Sequence, residues 1–541
     1  MDTRGILKRI AKIALFSIPF ILGFIGFADL YKDLWSRLYH TMALFAFSFD
    51  AEEEYLQTHW YLQIARLFAG AATFSIVIAI VNNFWASFSA FIQIKILRAV
   101  VVHGDGEQAA RVLEGLKDSG SRGIICNCNI CFNARKQILA FDSDDEALQY
   151  IEANIKKLFP HGSDKGSRND IILCSNMYSN SECKKDYFSI YNPAETCARQ
   201  YWTEHWLDRD RLLSGNSEKP EIHSVAIVGF DHFGEHMLNQ ALIMNVTDRQ
   251  LEVAEEDRQF IGEYWDKIHS MQGVDYYVVG SDGADYCAMH PMLSEFLNLN
   301  GKDGGHKDSL TFYASLSDMG IRMLDSIDLI IIALDEPEAC VEMMNKIVCG
   351  GLTDDIHIHC AYEEIINALY QTVTKGLAIV PFGMNYVLYN RENLLHEKME
   401  QSAKQMNYNY IKGTLDQELS KEQEEEIREE AWNKLTYFQK LSNFASCDHN
   451  AIKAGLLKQY PFSEDQDTAT ANLLMEIEHT RWERFYWLHN WEYNSQRNDA
   501  KHQHPSLRPF HELKRAEQIK DYDMYRTIAD EEKKADNGRT H

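Results

Sequence analysis

The sequence predicts a membrane-anchored, multidomain chain: two transmembrane helices, two successive α/β units with parallel sheets, and an all-α C-terminal unit. Three observations predict it. Two uncharged apolar runs lie near the start, Ile13–Ala28 and Leu67–Ile94. Short apolar runs then alternate with helix-like runs from Ala99 to the "IHIHCAYEE" stretch. An aromatic, proline-pinned block, "NWEYNSQRNDAKHQHPSLRPF", lies near the end. At 541 residues the chain is too long for one hydrophobic core.

The formal charge is -26 and no basic stripe stands out, so a grip on nucleic acid is not expected. Eleven cysteines, without the spacing of a secreted domain, predict reduced cytosolic thiols. The densest group is "CNCNIC", Cys126, Cys128 and Cys131. Three thiolates, with Cys174, Cys183 or Cys197 as a fourth, would suit a soft metal. The spacing matches no zinc signature, so no metal site is assigned.

The first apolar run, extended back over a snorkelling Lys12, reaches the length of a membrane span. Asp29, Lys32 and Asp33 follow it where a signal peptide would carry a small-residue cleavage site. The second run spans a bilayer with room for tilt. Arg4, Lys8, Arg9 and Lys12 precede the first span, and Lys95 and Arg98 follow the second. The acids Asp50, Glu52, Glu53 and Glu54 lie between them. This bias predicts a multi-pass protein of the cell inner (plasma) membrane, with both termini cytoplasmic. Between the spans, Leu38–Phe49 is apolar but too short to cross, the length of a re-entrant segment. Residues 1–97 therefore read as a pore module. Thr41, Phe45 and Phe49 are its candidate lining, and Asp50, Glu52 and Glu53 would concentrate cations at the outer mouth. The alternative is an amphipathic helix lying on the membrane, with the acids merely solvated. No "TVGYG"-like filter is present, so potassium selectivity is not expected.

Residues 98–215 form the first α/β unit. The strand Ala99–Val102 runs into Gly104-x-Gly106-x-x-Ala109 and a helix. Glycines there let backbone approach a pyrophosphate, and the helix N-terminus offers unpaired N–H groups. Asp142, after "QILAF", is read as a second-strand acid that accepts ribose hydroxyls. Residues 216–390 repeat the pattern: Val225–Val228, then Gly229-x-Asp231-x-x-Gly234, a helix, and a second strand ending at Asp282. The repeat predicts tandem Rossmann-like folds. They admit NAD or another adenine nucleotide as cofactor. Asp231 stands where the middle glycine would be, which weakens the second site. A purely structural use of both folds, as scaffold and oligomer contact, is the alternative. On "HGDGEQA", "GFDHFGEH" and their place after Ile94, the tandem resembles the TrkA-N/RCK ligand-sensing modules of two-span ion channels and transport regulators.

Residues 391–441 are charged and helix-prone, a solvated connector. In residues 442–541, Glu478, His479, Trp482, Trp491, Tyr493, His504, Pro505, Leu507, Pro509, Phe510, Leu513, Lys520 and Asp521 stand as in the RyR domain, the small helical repeat of ryanodine receptors. Prolines 505 and 509 fix the "HPSLRPF" turn. Arg481, Arg497, His504 and Arg508 near Trp491 and Tyr493 are candidates for a stacking-plus-cation pocket. The plainer reading makes Trp482 and Trp491 core. The RyR resemblance implies sensing of a nucleotide-derived signal.

No paired acids in a motif, nucleophile elbow or metal triad appears, so catalysis is not expected. The expectation is a ligand-gated ion channel, a homo-oligomer and by its two-span build a homotetramer, whose cytosolic units bind a small nucleotide-like ligand. Two alternatives stand beside it. One is a membrane-disrupting or partner-recruiting signalling effector, serving phage defence, without selective conduction. The other is a membrane-tethered NAD-dependent enzyme.

Overall fold

The computed structural model describes residues 3–48, 59–126, 128–159, 170–175, 188–214, 221–349, 355–370, 379–394, 397–412 and 420–530. The chain divides into two compact units, Met1–Ala99 with Cys126–Ala134, and Val100–Ile125 with Arg135–His541.

The first unit holds helix α1, Thr3–Gly26, helix α2, Leu34–Phe45, and a long helix, Trp60–Phe91, that runs into a π-helical turn, Ile92–Ile96. The long helix is apolar all round, yet Leu67, Phe74, Ile80, Phe84 and Trp85 are exposed. Beyond buried positions such as Leu62, Ala65, Ala69 and Ala72, most of this apolar surface is uncovered within the chain, as a helix facing lipid or another copy would leave it. Among the described residues it is the one helix long and apolar enough to cross a membrane. In α1 the described residues offer the shorter apolar stretch Ala14–Gly26. Of the two expected spans, one thus has a candidate helix among the described residues, and the second is not confirmed.

The short middle segment is a true helix, but shifted from the apolar run Leu38–Phe49. Asp33 caps α2 by accepting from Ser36 N at 2.9 Å, and the helix ends at Phe45. A small core joins Phe27, Leu44, Leu62, Ala65 and Ala69. Gly26 permits that contact, because a Cβ there would overlap the Leu62 side chain.

The second unit contains two parallel sheets. The first has strands β1, Val100–His103, β2, Gly123–Ile125, β3, Lys136–Ala140, β4, Asp170–Cys174, and β5, Phe188–Tyr191. Their order is β2-β1-β3-β4-β5. The second has β6, Ser224–Val228, β7, Asp275–Val279, β8, Asn298–Leu299, β9, Ser309–Tyr313, β10, Leu329–Ile332, β11, Asp355–His359, and β12, Ile379–Phe382. Their order is β12-β11-β10-β6-β7-β9-β8. Central strands such as β1 and β10 are buried along their whole length, which explains their unbroken Val and Ile runs.

The two sheets are both doubly wound but not copies. Setting aside the two-residue edge strand β8, the second follows the strand order of dinucleotide-binding folds. The first follows the flavodoxin-like order, because β2 lies on the far side of β1 from β3. The repeat read from the sequence is thus local, covering strand, glycine loop and helix.

Helices Tyr437–Asp448, Asn450–Gln459 and Ala469–Leu488 build the C-terminal part. One core cluster runs from Val100 in the first sheet through the second sheet to Ala529. Ion pairs tie these helices to the α/β part: Arg199, on helix Pro193–Glu204, to Asp448 at 2.6 Å, and the buried Arg484 to Asp308, just before β9, at 2.7 Å. In the charged connector, helices Glu397–Lys412 and Lys421–Lys434 pair through Lys404 and Glu429 at 2.8 Å, and Trp432 is buried.

Candidate functional site

The pore-lining candidates divide. Thr41 is fully buried, and its hydroxyl donates to Arg37 O at 2.8 Å, one turn back in its own helix. Phe45 stacks on Phe16 with ring centres 6.4 Å apart. Phe49, Asp50, Glu52 and Glu53 lie outside the described residues.

At the first glycine loop, Gly104 has φ +135°, and a Cβ there would run into Ala140 O. Gly106 sits at the N-cap of helix Glu107–Asp118, and Ala109 is buried against the sheet. Asp142 does not end the second strand. It follows β3, because the three-residue β2 intervenes in sequence. Its carboxylate accepts from Gln108 N at 2.9 Å, and a Cβ on Gly106 would overlap it. The orphan N–H that a phosphate would take already holds a carboxylate of the chain.

The second loop repeats this arrangement with more parts. Gly229 has φ +99°, and a Cβ on Gly234 would overlap Gly229 O. Asp231 is the N-cap of helix His232–Met244 and accepts from Asp335 N at 2.8 Å. Asp335, just past β10, accepts from Phe233 N at 2.9 Å and pairs with His232 Nδ1 at 2.8 Å. Burial, then the nearby Asp335 charge, push the Asp231 carboxyl up to about 6. Burial opposes a proton on His232, but Asp335 wins and raises it. Asp282 is exposed at the end of β7, the strand beside β6, where a ribose-binding acid belongs. Its only described bond is an Asx turn to Ala284 N at 3.0 Å.

Both loops therefore have a dinucleotide-fold shape and a self-supplied anion. A phosphate would have to displace Asp142 or Asp335 and would meet like charge while doing so. The glycines are needed for strand-to-helix packing whether or not a nucleotide binds.

The C-terminal candidates also separate. Arg481 is 1% exposed and grips Glu478 with two bonds of 2.9 and 3.0 Å. Lys453 joins the same carboxylate at 3.1 Å. Burial works against the Glu478 charge, but Arg481 and Lys453 hold its carboxyl down at about 2. Arg481 is thus a buried structural cation, not a surface ligand group.

The other five gather around the short ladder of β13, Glu492–Tyr493, and β14, Gln503–His504. Trp491 is 3% exposed, stacked on Phe438 at 5.0 Å and on His502 at 5.3 Å. His504 stands edge-on to Trp482 at 5.0 Å and Tyr486 at 5.5 Å. Burial, then the Arg497 charge, push His504 down to about 4, so its ring is neutral at pH 7. Arg508 lies over the exposed Tyr493 ring at 5.8 Å. Arg497 is exposed and paired with Asp499 at 2.6 Å. Two buried donors here, Trp491 Nε1 and Arg508 Nε, make no hydrogen bond among the described residues. Trp491 is core on its ring and a donor at its edge. The partners that sequence reasoning missed are His502 and Asp499. His502 stands two residues before His504 on the ladder, and Asp499 two residues after Arg497.

A cleft of about 290 Å³ lies elsewhere, lined by Arg211, His223, Arg249 and Gln272 among others. Its arginines are already paired: Arg249 with Asp208 at 2.8 Å, and Arg211 with Asp208 at 2.7 Å and Asp248 at 2.5 Å. Among the described residues no group of three or more His, Cys, Asp or Glu side chains is placed to hold a metal ion.

No family model matches the chain, and no curated protein matches it. The likeness to TrkA-N/RCK modules and to the RyR domain rests on the residues quoted for it.

Proposed function

We propose that this chain is a membrane-anchored sensor whose C-terminal aromatic and arginine cluster binds a nucleotide-like anion and thereby switches a membrane output, an ion channel built from several copies. The observation that carries the reading is the pair of buried, unsatisfied donors, Trp491 Nε1 and Arg508 Nε, beside the exposed Tyr493 and Arg497. Buried donors without acceptors are costly, and a bound acceptor removes that cost. An exposed ring with a guanidinium over it suits a base and its phosphate. The exposed apolar helix Trp60–Phe91 supports the membrane half of the reading. Neither glycine loop supports NAD as the ligand, since both helix ends hold a carboxylate.

Ligand released from the purified chain by denaturation and identified by mass tests the reading directly. A phosphorylated nucleoside whose binding weakens about tenfold or more in Arg508→Ala and Tyr493→Ala supports it. Binding unchanged in both variants removes the site. Planar-bilayer conductance that follows the ligand supports the channel.

A second reading has its own observation. Among the described residues one helix, not two, is both long and apolar enough to cross a membrane. A single span anchors but does not enclose a pore unless several copies do so together. Ligand-dependent leakage of vesicles without unitary conductance steps favours a membrane-disrupting effector.

A further inference from the structure

The "CNCNIC" run is left without a role by the reading above. In the structure Asn129–Asn133 is a 3-10 turn, entered from Cys128 in extended backbone. The Cys128 and Cys131 sulfurs are 3.7 Å apart. Cys131 is fully buried and Cys128 partly exposed. Cys126 is turned differently, with its sulfur 3.9 Å from Cys128 O. The turn belongs to the same compact unit as the long apolar helix and packs against it. Lys95, in the π-helical turn that ends that helix, donates to Asn133 O at 3.4 Å.

Three features separate this pair from ordinary buried thiols. The spacing, Cys-x-x-Cys, brings both sulfurs to one side of a single turn, as in dithiol redox motifs. The sulfurs are in contact, so a bond between them needs side-chain rotation rather than a chain rearrangement. Access is asymmetric, with one sulfur open to a reagent and the other behind it. A zinc site would need a fourth ligand and a tetrahedral spread of donors, and no such group stands among the described residues.

We propose that Cys128 and Cys131 are a reversible redox pair, which closes a disulfide within the turn packed on the long helix. The co-reactant is a small disulfide of the glutathione class. The Cys128 thiolate attacks one of its sulfurs, forming a mixed disulfide and releasing one small thiolate. Cys131 then attacks the Cys128 sulfur, forming the internal disulfide and releasing the second. The two protons lost by the cysteines end on the two small thiols. The protein is oxidised by two electrons and the small disulfide is reduced by two. Burial, then the neighbouring Cys131 thiol, hold the Cys128 thiol above its ordinary range, so little of it is thiolate and exchange is slow.

The test uses the full chain in detergent, incubated with oxidised glutathione. Remaining thiols are alkylated, and the peptide carrying residues 126–131 is weighed. The expected product is lighter by two hydrogens, has lost label at Cys128 and Cys131 together, keeps label at Cys126, and reverts on dithiothreitol. In Cys131→Ser a glutathione adduct should persist on Cys128. In Cys126→Ser the internal disulfide should still form. Retention of all three labels under oxidation overturns the proposal. So does a stable adduct on Cys128 in the unsubstituted chain, or loss of the disulfide in Cys126→Ser. Zinc that co-purifies with the chain and is lost in Cys128→Ser assigns the thiols to a metal and overturns it as well.

Discussion

The two glycine loops solve one problem with different means. Each strand-to-helix turn leaves N–H groups at the helix start unpaired, and each is closed by a carboxylate from the strand across the crevice. In the first loop a single exposed aspartate, Asp142, does this with one bond to Gln108 N. In the second, Asp335 bonds Phe233 N and His232, and Asp231 in turn accepts from Asp335 N. The surrounding sheets differ too: the second has the dinucleotide-binding strand order and the first does not. The fold closer to the nucleotide-binding pattern thus has the more heavily guarded anion position. Strand order and loop motif are separate inheritances, and neither alone makes a binding site.

The largest test of this comparison is steric. Gly104→Val and Gly234→Val should each cost about 3 kcal/mol or more, because Cβ atoms would overlap Ala140 O and Gly229 O. Melting temperatures without any nucleotide measure it. Variants that melt like the parent would show that the glycines serve a ligand rather than packing.

Next in size is removal of the caps. Asp335→Ala should cost about 2 kcal/mol and Asp142→Ala about 1 kcal/mol, since the first loses two described bonds and the second one. Denaturant midpoints rank them. Equal losses would erase the distinction drawn between the loops.

The third test uses pH. The folded Asp231 carboxyl lies near 6, above its ordinary value of about 4. The native state therefore holds a proton that the unfolded state has released between those values, and stability falls as pH rises through that window. His232, raised by Asp335, adds a loss in the same direction, completed as pH passes its folded value. Asp231→Asn keeps an acceptor for Asp335 N and should flatten the fall between about pH 4 and 6. Melting curves at stepped pH read it, and an unchanged profile would sink the assignment.

The smallest effect belongs to Asp282. Its exposed Asx turn makes Asp282→Ala worth less than about 0.5 kcal/mol. NAD should give no thermal shift in either the parent or this variant. A clear shift in the parent that Asp282→Ala removes would restore the second sheet as a dinucleotide site.

Much of the α/β part was legible in the chain. Strands β1, β3, β4, β6, β7 and β10 announce themselves as largely apolar runs, since both faces of a parallel sheet are covered, while β9 and β11 show as alternating ones. Strand β2 was missed because "GII" is three residues long, and β12 because its run is broken by Pro381. Missing β2 is what misplaced Asp142. Arg481 was misassigned for a different reason. Its partner Glu478 lies three residues earlier, one helical turn, so the pair was visible in the spacing. Which face of that helix is buried was not, because Ala469–Leu488 is buried on nearly every side.

The sequence by itself determined the long lipid-suited helix, the alternation of strands and helices, the two glycine turns and the aromatic C-terminal block. These follow from local rules: apolar runs, backbone freedom and side-chain spacing act over a few residues. Strand order, the capping of both helix ends, the burial of Arg481 and the contact of Cys128 with Cys131 were decided only by the tertiary structure. Each depends on which surfaces meet once water is expelled, and residues such as Asp335 and Phe233 stand 102 positions apart along the chain. No short-range pattern encodes such a meeting.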